Sequence, residues 1–294
     1  MRRYLVLIPL VLATLAAGRA QASGPLQVVA AENFWGSIAS QLGGNRVHVT
    51  SVITNPATDP HDYEPTAADA RTIAGAQMVI ENGIGYDPWA AKLVAASPAH
   101  GRVVLDVGKL VGVPDGGNPH RWYSPPDVQQ MTAAIVADYT KLDPKDAAYF
   151  REQKTQFETR LRQYKQLIAT IRRKYHGVPV GASESIFAAL APALGLKLVT
   201  PYSFLTAISE GTEPTAADKT TIDRQIAHRQ IRVWIFNSQN STPDVARFTE
   251  AARKRGIPVT TITETLVPAS ATFEQWQVAQ LRALERALAL ATGR

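Results

Sequence analysis

The chain reads as an α/β protein of two lobes, each a parallel sheet covered by helices, with one long linker helix joining them. Three observations carry this. Short apolar runs alternate with amphipathic stretches in both halves of the chain, the signature of strand–helix–strand units. The alternation stops once, near the middle. There Phe150, Phe157, Leu161, Tyr164, Ile168, Ile171 and Tyr175 recur every three, four or seven residues, which lines them up on one face of a helix. Some thirty helical residues would be about 45 Å long, more than a crossover needs and suited to a rod between lobes.

The first 22 residues stand apart. Arg2 and Arg3 precede an uncharged apolar run, and Ala20-Gln21-Ala22 is a small-x-small cleavage site, so 1–22 reads as a signal peptide. The run is shorter than the roughly 20 residues that span a bilayer. Without Arg2, Arg3 and Arg19 the charge falls from +6 to +3, so the high pI is partly the leader's. No Lys/Arg tract with interleaved aromatics is present, which leaves nucleic-acid binding unsupported. The sequence has no cysteine. Disulfides and thiolate ligands are excluded, and so is a lipid-modified N-terminal cysteine. The expectation is a freely soluble, monomeric periplasmic protein with no lipid anchor. Its expected parts are an N-terminal lobe over 23–142, the linker helix over 143–177 and a C-terminal lobe over 178–294.

In order, strands are expected at 26–31, 47–53, 78–82 and 103–105, with Glu32-Asn33-Phe34-Trp35 leading into a helix that ends near Gly43-Gly44 and further helices at 66–75, 87–95 and from Ser124 to about 141. Thr66 with Asp69 three residues later reads as a helix start. Ser124-Pro125-Pro126-Asp127 reads as another. Asp143-Pro144 opens the linker, and Gly177 with Pro179 ends it. Strands follow at 178–182, 196–200, 233–237 and 259–262. Between and after them, helices are expected from Glu184 to 195, over 215–230, from Thr242 to 256 and over 272–290. In parallel sheets ligands bind outside the carboxyl ends of the strands.

Two loops at such ends hold the chemistry. Asp59-Pro60-His61-Asp62-Tyr63-Glu64-Pro65-Thr66 places one imidazole among three carboxylates between two restricting prolines. Alone, it reads equally as a solvated acidic turn. Asn118-Pro119-His120-Arg121-Trp122 repeats the Pro-His pair before a second helix start. Two neutral imidazoles suit Zn, Mn, Fe, Ni or Cu. Two further groups are expected from the other lobe. Glu184 directly follows the strand at 178–182, and Glu264 follows the last strand. In isolation the first reads as helix-dipole compensation and the second as a solvated loop acid. Their shared place at strand ends is what singles them out. His48, His100, His176 and His228 sit in an ordinary strand, turn, helix end and polar helix.

These stretches, together with Glu81-Asn82-Gly83-Ile84-Gly85, Trp89 and Glu210-Gly211-Thr212-Glu213-Pro214, resemble the zinc/manganese class of ABC-transporter periplasmic solute-binding proteins. The likeness runs over nearly the whole chain after the leader. It implies two α/β lobes joined by one long helix, with one divalent metal ion, Zn or Mn, held between them as cargo for an ABC transporter membrane permease. By motif, His61 and His120 match the family's two N-lobe ligands, and Glu184 matches a third that is His or Glu. Glu264 stands where the family usually has Asp. The His-rich loop of many zinc-type members is missing; only Gly116-Gly117-Asn118 precedes His120. Four protein ligands would leave no open position to activate water, so the chain is expected not to be an enzyme. The alternatives are an exported metal-dependent hydrolase, with Asp62 or Glu64 as base, and a metal-free binding or adhesion protein on the same scaffold. No HExxH or GxSxG motif supports the hydrolase.

Overall fold

The structure is a computed structural model that describes residues 24–58, Pro60 and residues 63–294. The leader at 1–22 and the ligand candidate His61 lie outside the described residues. The first half runs β1 (Leu26–Glu32), α1 (Asn33–Gly43), β2 (Val47–Ile53), α2 (Ala67–Ala74), β3 (Met78–Glu81), α3 (Pro88–Ala96), β4 (Val103–Asp106), α4 (Val107–Val111) and α5 (Pro125–Leu142). Next come α6 (Ala147–Arg160) and α7 (Arg162–Tyr175). The second half runs β5 (Pro179–Ala182), α8 (Ile186–Leu194), β6 (Lys197–Leu198), α9 (Tyr202–Ser209), α10 (Ala216–Ala227), β7 (Val233–Asn237), α11 (Pro243–Lys254), β8 (Val259–Ile262) and α12 (Phe273–Thr292).

Among the described residues the strands form two four-stranded sheets, ordered β2-β1-β3-β4 and β6-β5-β7-β8. Every pairing is parallel. The two orders are the same order written twice. Each sheet therefore has one place, between its first and third strands, where the connections diverge and a crevice opens. The central strands are buried and apolar, as a sheet covered on both faces requires.

Local chemistry sets the helix starts. Thr66 accepts from Asp69 N while Asp69 accepts from Thr66 N, a complete capping box, and Thr272 with Gln275 makes another. Thr215 and Thr242 cap α10 and α11 singly. Ser124 precedes two prolines but makes no side-chain cap bond.

The linker differs from the expected single helix. After a 3-10 turn at Pro144–Asp146, it folds as two helices of 14 residues that meet at Leu161, whose ψ of −6° flattens the turn between them. The reason lies in what each half packs on. The first, α6, lies against α1 and α5, and α7 lies against α12 and α8. One straight rod would have to follow both surfaces at once.

A continuous apolar core runs through both halves. Polar bonds stitch them where they meet. Tyr123 Oη donates to Thr263 O at 2.8 Å, Ser37 Oγ accepts from Phe273 N at 2.9 Å, and Asn33 Oδ1 accepts from Leu266 N at 3.2 Å.

Candidate metal centre

The carboxyl edges of the two sheets face one another, and three of the four singled-out side chains meet there. His120, Glu184 and Glu264 each offer a ligand atom, all within 4.8 Å of one another. All three are buried, at 0 %, 1 % and 1 % exposure. His120 Nε2 lies 3.4 Å from Glu264 Oε2. That is close to the roughly 3.4 Å edge of a tetrahedron built on metal–ligand distances near 2.1 Å. His61 is not among the described residues, so its place relative to these three is not part of the geometry.

His120 is held in one tautomer. Asn118 Nδ2 donates to Ser185 O at 2.8 Å, which fixes the amide's orientation. Its Oδ1 accepts from His120 N at 3.0 Å and lies 2.8 Å from His120 Nδ1. An oxygen accepts, so Nδ1 carries the proton and Nε2 is the nitrogen that can act as a ligand. This is how outer partners orient metal-binding imidazoles. Edge-to-face contacts with Tyr86 and Trp122 fix the ring plane, and Trp122 in turn stacks on Phe34 with centroids 3.8 Å apart.

The carboxylates are held just as closely. Asn237, the last residue of β7, donates from Nδ2 to Glu184 Oε2 at 2.7 Å and to Glu264 Oε1 at 2.9 Å. Tyr86 Oη, from the first half, donates to Glu264 Oε2 at 3.0 Å. Neutral donors thus orient both groups without cancelling their charge. Two carboxylates and an imidazole lone pair, converging in a buried site, form a donor set for one divalent cation. A cavity of about 170 Å³ adjoins the triad, lined by Tyr86, Asn118, Pro119, Ser185 and Glu210 among others.

Sequence reasoning did not single out Asn237, Asn118 or Tyr86 as site residues. Asn237 had a signal: a polar residue closing the strongly apolar strand Val233–Asn237 at the edge where ligands bind. Asn118 lay within a noted motif but was read as spacing. Tyr86 follows the glycine turn Gly83-Ile84-Gly85 with nothing local to mark its reach across to Glu264.

With the geometry in place, likeness to known proteins becomes informative. The profile of the family described as zinc-uptake complex component A, periplasmic, matches residues 28–287. The chain belongs to this family. Within it, the manganese-binding lipoprotein MntA of Bacillus subtilis is 26 % identical over 253 residues, 80 % of this chain and 78 % of its own. The high-affinity zinc uptake system protein ZnuA of the same species is 22 % identical over 198 residues, 61 % of each chain. For the first two curated relatives, the latter and a Treponema pallidum protein, the match spans 61 % and 54 % of their lengths. In three dimensions a crystal structure of a zinc-uptake component A protein superposes with a TM-score of 0.73 at 19 % identity, covering 90 % of this chain and 99 % of that one. The manganese-bound periplasmic metal-binding protein of Candidatus Liberibacter asiaticus also gives 0.73 at 19 %, covering 89 % and 98 %. These superpositions establish the shared two-sheet fold.

Proposed function

We propose that this protein captures one divalent transition-metal ion, zinc or manganese, in the periplasm and delivers it to the membrane permease of an ABC importer. The observation that carries the reading is the buried convergence of His120 with Glu184 and Glu264, drawn from both sheets of a fold whose relatives are named for zinc, manganese and iron. We take these three as ligands and His61 as the fourth, the last on sequence resemblance alone. The division into lobes at 23–142 and 178–294 with a linker between belongs to the same reading. A cation held from both sides stabilises the closed arrangement by its differential affinity for it. Four protein ligands leave no position for an activated water, so the site captures and does not catalyse. The chain's lack of cysteine favours release as a soluble protein, unlike the lipoproteins among its relatives.

The test is thermal unfolding of the chelator-stripped mature protein with and without zinc and manganese. Saturating metal should raise the midpoint by on the order of 10 °C, from about 4 kcal/mol of linkage at a thousandfold excess over Kd. His120→Ala and His61→Ala should each abolish most of the rise. No shift with either metal sinks the reading. Retention of the full shift by His61→Ala removes His61 from the set. Hydrolytic turnover dependent on metal would favour the enzyme alternative.

A further inference from the structure

A second group of buried acids lies behind the site, and it is built differently. Glu32 ends β1 and is 0 % exposed. It occupies the N-cap of α1 yet makes no side-chain cap bond. Among the described residues neither of its carboxyl oxygens receives an N–H or a hydroxyl from a neighbour. The titratable groups that face it among the described residues are Asp87, from the cap of α3, and Glu81, from β3. Asp87 is within hydrogen-bonding reach. Beyond Glu81 stand Asp106 of β4 and Lys109 of α4, whose ammonium is paired with Asp106 at 2.8 Å. Among the described residues no cation faces Glu32 itself.

An ionised carboxylate buried without a donor or counter-charge is costly enough that the group takes up a proton instead. Two carboxyls that share a site accommodate one proton between them. Asp87 already accepts Asn82 N at 2.6 Å and Gly83 N at 2.7 Å, so it is the acceptor, and the proton resides on Glu32. Burial, followed by the neighbouring Asp87, pushes Glu32 well above the usual carboxylate range, and burial raises Asp87 to about 7.

The turn that Asp87 clamps needs holding. Gly83, Ile84 and Gly85 all have positive φ, at 67°, 59° and 77°, and a β-branched residue there is strained. From this turn Asn82 Nδ2 donates to Pro119 O at 2.9 Å, one residue before His120, and Tyr86 reaches Glu264. We infer that Glu32 is held as the neutral acid and donates its O–H to Asp87, bracing the turn at 82–87 and acting through it as a positioning residue for His120 and Glu264. The positioning part rests on the metal-capture reading; the protonation does not.

Glu32→Gln keeps the shape and a donor but cannot ionise. Because the native protein binds a proton here that the unfolded chain releases above about pH 4.5, metal-free wild type should lose stability as pH rises from 5 to 9. In Glu32→Gln that fall should shrink by several degrees of midpoint. The wild-type infrared spectrum at pH 6, above the ordinary carboxylate range, should show a protonated-carboxyl C=O band that is weaker in Glu32→Gln. Glu32→Ala should weaken zinc binding roughly tenfold, with Gln restoring it to near wild type. Identical pH slopes, no protonated-carboxyl band in the wild type, or a Glu32→Gln protein unable to fold at pH 6 would each overturn the protonation. Wild-type zinc affinity in Glu32→Ala would overturn the positioning role. Should wild type bind no metal at all, the capture reading fails while the slope and the band still test the proton.

Discussion

Two buried pairs of acids are linked through the adjacent residues Tyr86 and Asp87, and they solve the same problem in opposite ways. Glu184 and Glu264 are met by the neutral donors Asn237 and Tyr86. Such dipoles favour the anion, orient it and leave its charge for a cation to use. Glu32 is met by Asp87 and Glu81, which disfavour its anion, so a proton stands where the other pair keeps its charge. Burial is equal in the two places, at 0–2 % for Glu32, Asp87, Glu184 and Glu264. Depth therefore does not distinguish a cation site from an inert acid. The identity of the donors does.

The sharpest way to break the comparison is Glu264→Gln. It removes one anion from the cation pair and should reduce metal affinity by at least about a hundredfold, more than the loss of an outer partner costs. Calorimetric titration with zinc checks this, with midpoints of the metal-free protein recorded alongside. Affinity within tenfold of wild type would remove Glu264 from the ligand set.

Next in size is the divergence of the two pairs with pH. Asp87 at about 7 and Glu32, raised well above the usual carboxylate range by burial and by Asp87, both carry raised native values. Their contribution is full below pH 4 and is lost as pH climbs through 7. Metal ligands must be deprotonated, so the metal-induced gain should grow over the same interval. Midpoints of stripped and loaded protein, measured from pH 5 to 8, should draw apart. Parallel curves would mean that the two pairs do not differ.

The smallest effect belongs to Tyr86→Phe, which deletes one donor to Glu264. It should cost about 1 kcal/mol of stability and weaken metal binding several-fold to tenfold, read by chelator competition. An unchanged affinity would confine Tyr86 to packing.

Much of this was legible in the sequence because strand ends are legible. Glu184 and Glu264 each closely follow an apolar strand at the edge where parallel sheets bind ligands, and His120 lies in the loop beyond β4 and α4 with its Pro-His pair as the signal. Periodicity located most of the elements within a residue or two. It missed α4 and α9, which are 5 and 8 residues long, too short for a 3.6-residue repeat to declare itself. It also missed the break at Leu161, because Leu161 lies on the buried face and continues the stripe through the interruption. The neutral partners were harder. Asn237 and Tyr86 act across the fold, and nothing next to them in the chain announces what they reach. Glu32 looked like an ordinary residue leading into a helix; only its neighbours in space make it an acid with nowhere to put a charge.

The order of the triad along the chain has a consequence for timing. Glu264 closes the site from beyond the last strand, and Asn237, which aligns both carboxylates, precedes it by a single strand–helix–strand unit. A chain emerging N-terminus first presents His120 long before the groups that would make it a selective trap. No product shorter than 264 residues contains all three groups. On the proposed ligand set, loading would thereby certify that the last strand of the second sheet is in place.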